Sequence, residues 1–111
     1  MLAQFTVHPL DETHFSKDVA QMMKILDGED VKYCLSPMAT AVEGSWEHVM
    51  SAIRCCHDAM RERHARVITT ITIDDRKGQA HHLDEIVPVI EKHLGHKAKQ
   101  DGTRKRVSDL Q

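Results

Sequence analysis

Carboxylates and hydroxyls collect at the ends of two β-like runs. Thr40, Glu43 and Gly44 close one run, and Asp74, Asp75 and Arg76 close another. A carboxylate at a strand end can hold a cation or an amino-substituted ring through charge-assisted hydrogen bonds, so a small polar ligand is the chemistry these positions suggest. The string Asp74-Asp75-Arg76-Lys77-Gly78 also reads as ordinary turn chemistry. The histidines are His8, His14, His48, His57, His64, His81, His82, His93 and His96. They fall in no Cys-x-x-Cys or His-Glu-x-x-His frame, so no metal site is expected and they read as solvated surface side chains. Cys55 and His57 flank Cys56, and a thiol with its base is one reading of that pair. Cys56 itself continues an apolar stripe and reads as core. Without a phosphate loop or a nucleophile elbow, the chain is expected to bind rather than catalyse, and no catalytic residue is assigned.

Those side chains need a scaffold, and hydrophobic periodicity supplies one. Ala3, Phe5 and Val7 alternate with Gln4, Thr6 and His8, and Pro9 closes the strand. Ser16 is placed as the N-cap of a helix whose stripe is Val19, Met22, Met23 and Leu26, with Gly28 ending it in the left-handed region. Val31, Tyr33 and Leu35 alternate with Lys32, Cys34 and Ser36, Ser36-Pro37 interrupts, and a second run ends at Glu43-Gly44. Ser45 caps a long helix with the stripe Trp46, Val49, Met50, Ile53, Cys56 and Met60. Val67, Thr69, Ile71 and Ile73 mark a β-branched strand. Leu83, Ile86, Val87, Ile90 and Leu94 mark a third helix before Gly95, kinked at Pro88. The order strand, helix, strand, strand, helix, strand, helix predicts an α+β, ferredoxin-like βαββαβ sandwich with an additional C-terminal helix. The domain is expected to span residues 1–96, with a flexible charged tail at 97–111. The basic stretch Lys97 to Arg106 reads as part of that solvated tail.

Composition narrows the class. A chain of 111 residues has room for one domain. With 41% hydrophobic and 29% charged residues, it falls among chains that fold. A formal charge of -2 and a pI near 6.5 provide no basic field for nucleic acid. No window is apolar enough to span a membrane and the N-terminus has no leader pattern. The cysteines number three, and adjacent Cys55 and Cys56 diverge on a helix, so reduced thiols and a cytoplasmic location are expected. Helices can cover only one face of the sheet. The other carries Gln4, Thr6, His8, Thr70 and Thr72, with Lys32, Cys34 and Ser36 or their neighbours depending on register. That face is poor in charge, and homo-oligomerisation through it is the expectation.

The stretch Ser36-Pro37-Met38-Ala39-Thr40-Ala41-Val42-Glu43-Gly44, followed by Arg66-Val67 through Ile73-Asp74-Asp75-Arg76, resembles the family of small thiamine-binding proteins. The resemblance runs from about residue 2 to about residue 95; the tail from His96 has no counterpart in it. It implies a ferredoxin-like fold, dimers joined through their sheets into a tetramer, and binding of thiamine or its hydroxymethylpyrimidine portion without known catalysis or any other cofactor. A carrier, buffer or sensor is the implied role. Ser36, Met38, Thr40, Glu43 and Asp75 are the implied ligand-binding residues. Glu43 or Asp75 would face the cation or amino group, Ser36 and Thr40 would hydrogen-bond the ring, and Met38 would form a polarizable wall. His8 lies beside the motif, at either the ligand or a subunit contact. Trp46 could present a cation–π face, but heading an apolar stripe it reads as a core or interface anchor, and Tyr33 is placed on the core side. Two other readings stand beside binding. One is acid–base catalysis by Glu43, Asp75 and a histidine, and the other is an interaction protein acting through its sheet face.

Overall fold

The computed structural model describes residues 1–78 and 82–102. Expectations for His81 and for residues 103–111 of the tail lie outside the described residues. The elements are β1 (Leu2–Pro9), α1 (Ser16–Asp27), β2 (Lys32–Leu35), β3 (Thr40–Glu43), α2 (Trp46–Arg63), β4 (Val67–Asp74) and α3 (Ile86–Leu94), in the expected order. The sheet runs β2-β3-β1-β4 with every pairing antiparallel, so the first strand is central. This is the split βαββαβ topology of a ferredoxin-like fold with one helix added.

Alternation decides which side chains are buried. Ala3, Phe5 and Val7 of β1 and Val42 of β3 point to one face, where Met22 and Leu26 of α1 and Val49, Ala52, Ile53, Cys56 and Met60 of α2 close over them. The α2 positions recur three or four residues apart and make one stripe along a helix with 3.6 residues per turn. Truncating Leu26 to Ala here would cost roughly 2–5 kcal/mol, the usual range for a buried leucine. Gly44 follows β3 where a Cβ would meet Val31 Cγ1 at 3.3 Å and Val49 Cγ2 at 3.4 Å. The chain therefore turns from sheet to helix with little room for a side chain.

Several boundaries differ from expectation. Ser45 caps α2 as predicted, its Oγ accepting the His48 N–H at 3.1 Å. Ser16, by contrast, is the first residue of α1, and Phe15 occupies the cap position with no side-chain bond. Gly28 sits at φ -90, not in the left-handed region, because the end of α1 tightens through its N–H to the Ile25 carbonyl. Pro88 does not kink α3. It falls in the first turn, where N–H groups have no partner within the helix, and the first α3 bond runs from Val89 N–H to Glu85 C=O at 3.2 Å. Trp46 stays half-exposed at the start of α2, and the buried stripe begins one turn later at Val49. Tyr33 is half-buried, its hydroxyl donating to Asp27 Oδ1 at 2.6 Å and joining β2 to the end of α1.

Register fixes the other face. One cross-strand row is Lys32, Glu43, Leu2 and Asp74, and the next is Cys34, Ala41, Gln4 and Thr72. Thr6, His8, Ile68 and Thr70 continue it along β1 and β4. No described helix is long and apolar enough to cross a membrane.

Candidate functional site

β1 is eight residues long and β3 only four. Their ladder covers Leu2 to Phe5 and stops where the chain enters the Ser36–Ala39 turn between β2 and β3. The turn is held by its own serine, whose Oγ–H donates to the Ala39 carbonyl at 2.7 Å while Ser36 N–H reaches the same oxygen at 3.0 Å. Curling away from β1, it leaves a cavity of about 110 Å³ between the second half of β1, the turn and α1. Phe5, Phe15, Val19 and Met22 give it apolar walls, and Ser36, Met38 and Thr40 line the side formed by the turn and β3.

Three of the five motif residues are thus brought together. Thr40 is 5% exposed, and its hydroxyl has no hydrogen-bond partner among the described residues. Met38 is 85% exposed at the tip of the turn, free to fold onto a bound molecule. His8 lines the same cavity and meets the Phe15 ring edge-on, centroids 4.9 Å apart at 64°. An adjoining apolar groove of about 580 Å³ runs from Leu35 and Pro37 along Val19, Ala20 and Met23 of α1. Among the described residues, neither space is lined by an acidic side chain.

Glu43 and Asp75 lie elsewhere. Glu43 points to the opposite sheet face, where Oε1 takes the Leu83 N–H at 2.8 Å and sits 2.9 Å from His82 Nδ1. Its Oε2 is 3.8 Å from Lys32 Nζ. The carboxylate anchors the chain segment after β4 across the corner of the sheet. Asp75 is exposed just beyond β4, next to an Asp74–Arg76 contact of 3.6 Å.

One titratable cluster escaped sequence reasoning. His64, just past α2, is 7% exposed, not a solvated surface histidine. Its Nδ1 lies 2.8 Å from Asp11 Oδ1 and its Nε2 lies 2.9 Å from Asp18 Oδ2. The hydrogen bond to Asp18 foremost, joined by that to Asp11, outweighs burial and holds the imidazole above its ordinary pKa of 6.5. Arg63 stands 2.9 Å from Asp18 Oδ1, a charge contact outside hydrogen-bond geometry. The cluster ties the end of α2 to the loop after β1 and to the first turn of α1. Asp11 and Asp18 precede His64 by 53 and 46 residues, a separation at which no local pattern signals contact.

Comparison with known proteins places these features. The thiamine-binding protein family model matches residues 3–91. The chain belongs to the thiamine-binding protein family. Among relatives, the UPF0045 protein YqgV of Bacillus subtilis is 33% identical over 100 residues, covering 84% of this chain and 96% of its own. Among solved structures, a hypothetical protein of Methanocaldococcus jannascii superposes with a TM-score of 0.72 at 23% identity, covering 85% of this chain and 94% of its own. A Thermotoga maritima protein provisionally assigned to thiamine biosynthesis or salvage superposes with a TM-score of 0.70 at 20% identity, covering 80% and 96%. At those identities the structural likeness concerns the fold.

The span matched by the thiamine-binding family runs from β1 into α3, so the cavity, Glu43 and the His64 cluster all fall within it. Of the three cysteines, Cys34 and Cys55 are exposed and Cys56 is buried. Cys56 is fully buried, its thiol donating toward the Met22 carbonyl at 3.7 Å and pushed up to about 12 by burial. Burial first, and then Glu29, raises the Cys55 thiol as well. His57 Nδ1 lies 2.6 Å from Thr69 Oγ1, and no hydrogen bond between His57 and Cys55 is present among the described residues. Among the described residues no group of three or more potential ligands could hold a metal.

Proposed function

We propose that this chain binds thiamine or its hydroxymethylpyrimidine portion in the cavity beside the Ser36–Ala39 turn, as a carrier, buffer or sensor without catalysis or any other cofactor. The observation that carries this reading is the convergence of Ser36, Met38 and Thr40 on one cavity within a chain of the thiamine-binding family. A space of about 110 Å³ is smaller than the ~300–1,000 Å³ of drug-sized sites. A cavity of about 150 Å³ takes benzene, so a single ring is the most this space can take, with its substituents reaching into the adjoining groove. The pyrimidine would enter the cavity, Thr40 would bond it, and Met38 would cover it. In thiamine the second ring would lie along the Leu35–Pro37 groove. With no carboxylate in either space, ring recognition rather than cation capture would supply the affinity.

Calorimetric titration with thiamine and with hydroxymethylpyrimidine tests this, beside a thermal-shift comparison. Saturable binding is expected, weakened roughly 3- to 10-fold by Thr40→Val, the usual worth of one lost hydrogen bond. Absence of binding by either compound at millimolar concentration would overturn the reading.

A second reading concerns assembly and has its own support. α3 buries none of its residues, and Ile86, Val89, Ile90 and Leu94 are each about half-exposed. Ile68 adds apolar area on the sheet face that α1 and α2 leave open. We propose that this face joins a second copy of the chain, with a dimer of dimers as the assembled form.

A further inference from the structure

The short ladder between β1 and β3 leaves a definite gap. Met1 and Gly44 exchange two backbone bonds, the Met1 amine reaching the Gly44 carbonyl at 2.9 Å and the Gly44 N–H reaching the Met1 carbonyl at 3.1 Å. Leu10 N–H reaches the Arg66 carbonyl at 3.1 Å on the other side. In an antiparallel ladder such bonded pairs alternate. Odd-numbered residues of β1 therefore turn their peptide groups toward β3, and even-numbered ones toward β4. Ala3 faces Val42 and Phe5 faces Thr40. The next odd residue, Val7, would face position 38, but Met38 lies in the turn outside β3.

Val7 is 3% exposed. Its N–H and C=O have no backbone partner among the described residues, and they point into the notch occupied by the cavity that Val7 itself lines. A buried peptide group without a partner costs about as much as a lost hydrogen bond, so such groups are normally satisfied by something. On one extended residue the N–H and C=O stand side by side, a donor next to an acceptor.

We infer that the ligand takes the empty place in the ladder: a planar heteroaromatic edge carrying an acceptor beside a donor exchanges one hydrogen bond each way with the Val7 peptide. This rests on the binding role proposed above and says how the ring is read. The amino group of an aminopyrimidine donates to the Val7 carbonyl, and the adjacent ring nitrogen accepts from the Val7 N–H. The Thr40 hydroxyl, also without a partner among the described residues, meets a further polar atom of the ring. Main-chain recognition explains how a cavity without an acidic side chain can select an amino-substituted ring. A compound lacking the amino group leaves the Val7 carbonyl unpaired and binds more weakly by the worth of that bond.

The test combines calorimetry with amide-resolved NMR on the full chain, using hydroxymethylpyrimidine and its analogue with hydrogen in place of the amino group. Saturable binding of the amino compound should shift the Val7 amide and slow its hydrogen exchange at least about tenfold, leaving the already paired Phe5 amide little changed. The analogue should bind roughly 3- to 10-fold more weakly. An amide-to-ester replacement of the Val7 N–H should lower affinity by a similar factor while destabilising the free protein less than the same replacement at Phe5. Binding that leaves the Val7 amide unmoved, or that is indifferent to the amino group, overturns the inference and spares the binding role. No binding of the amino compound overturns both.

Discussion

His64 is the residue at which charge and architecture meet. Doubly protonated, it donates to Asp11 and Asp18 at once; neutral, it has one N–H for two carboxylates. Its folded pKa is raised above 6.5, so the stabilisation it brings is fully present below that value and is lost as pH rises through the folded pKa. Melting temperatures measured against pH should therefore show a decline above about 6.5 that His64→Gln removes. A variant with the same pH profile as the parent would count against the clamp. Glu43 is decided by a different measurement. If it only anchors His82 and Leu83, Glu43→Gln changes the affinities for thiamine and for hydroxymethylpyrimidine equally and little. A loss confined to thiamine would place its carboxylate near the thiazolium.

Among the elements, β1, α2 and β4 were legible in the sequence because each carries one unbroken period. Alternation ran true from Leu2 to Pro9, and the stripe Val49, Ile53, Cys56, Met60 held its face for the length of the helix. Ends were harder to place. The Gly28 and Ser16 positions depend on how one terminal turn closes, which residue type alone does not specify. The motif from Ser36 to Gly44 pointed to a site, but alternation separates its members: Thr40 and Glu43 are an odd number of residues apart on one strand and face opposite sides. Periodicity could therefore not show that the motif serves a cavity on one face and an anchor on the other. α3 was legible as a helix, and its half-exposed apolar side is the surface on which the proposed assembly rests. Thr72→Lys, in the centre of the uncovered face, should lower the mass seen by light scattering; an unchanged mass would remove the sheet face from the assembly.

At the scale of the whole molecule, the sheet is built from distant parts of the chain. The longest ladder joins residues 2–9 to residues 67–74, and the other pairing of β1 reaches only as far as Glu43. Loop-closure entropy must be met before such contacts stabilise anything, which makes them late events in folding. A chain cut short of β4 leaves one whole side of the central strand without its partner. A fragment ending at Arg66 should sediment as aggregates where the full chain stays dispersed, because its unpaired β1 is an exposed edge carrying Phe5 and Val7. The cavity that would hold the ligand is a remnant of the short β1–β3 pairing: at Val7 the sheet keeps a stretch of edge that no described residue of the chain fills.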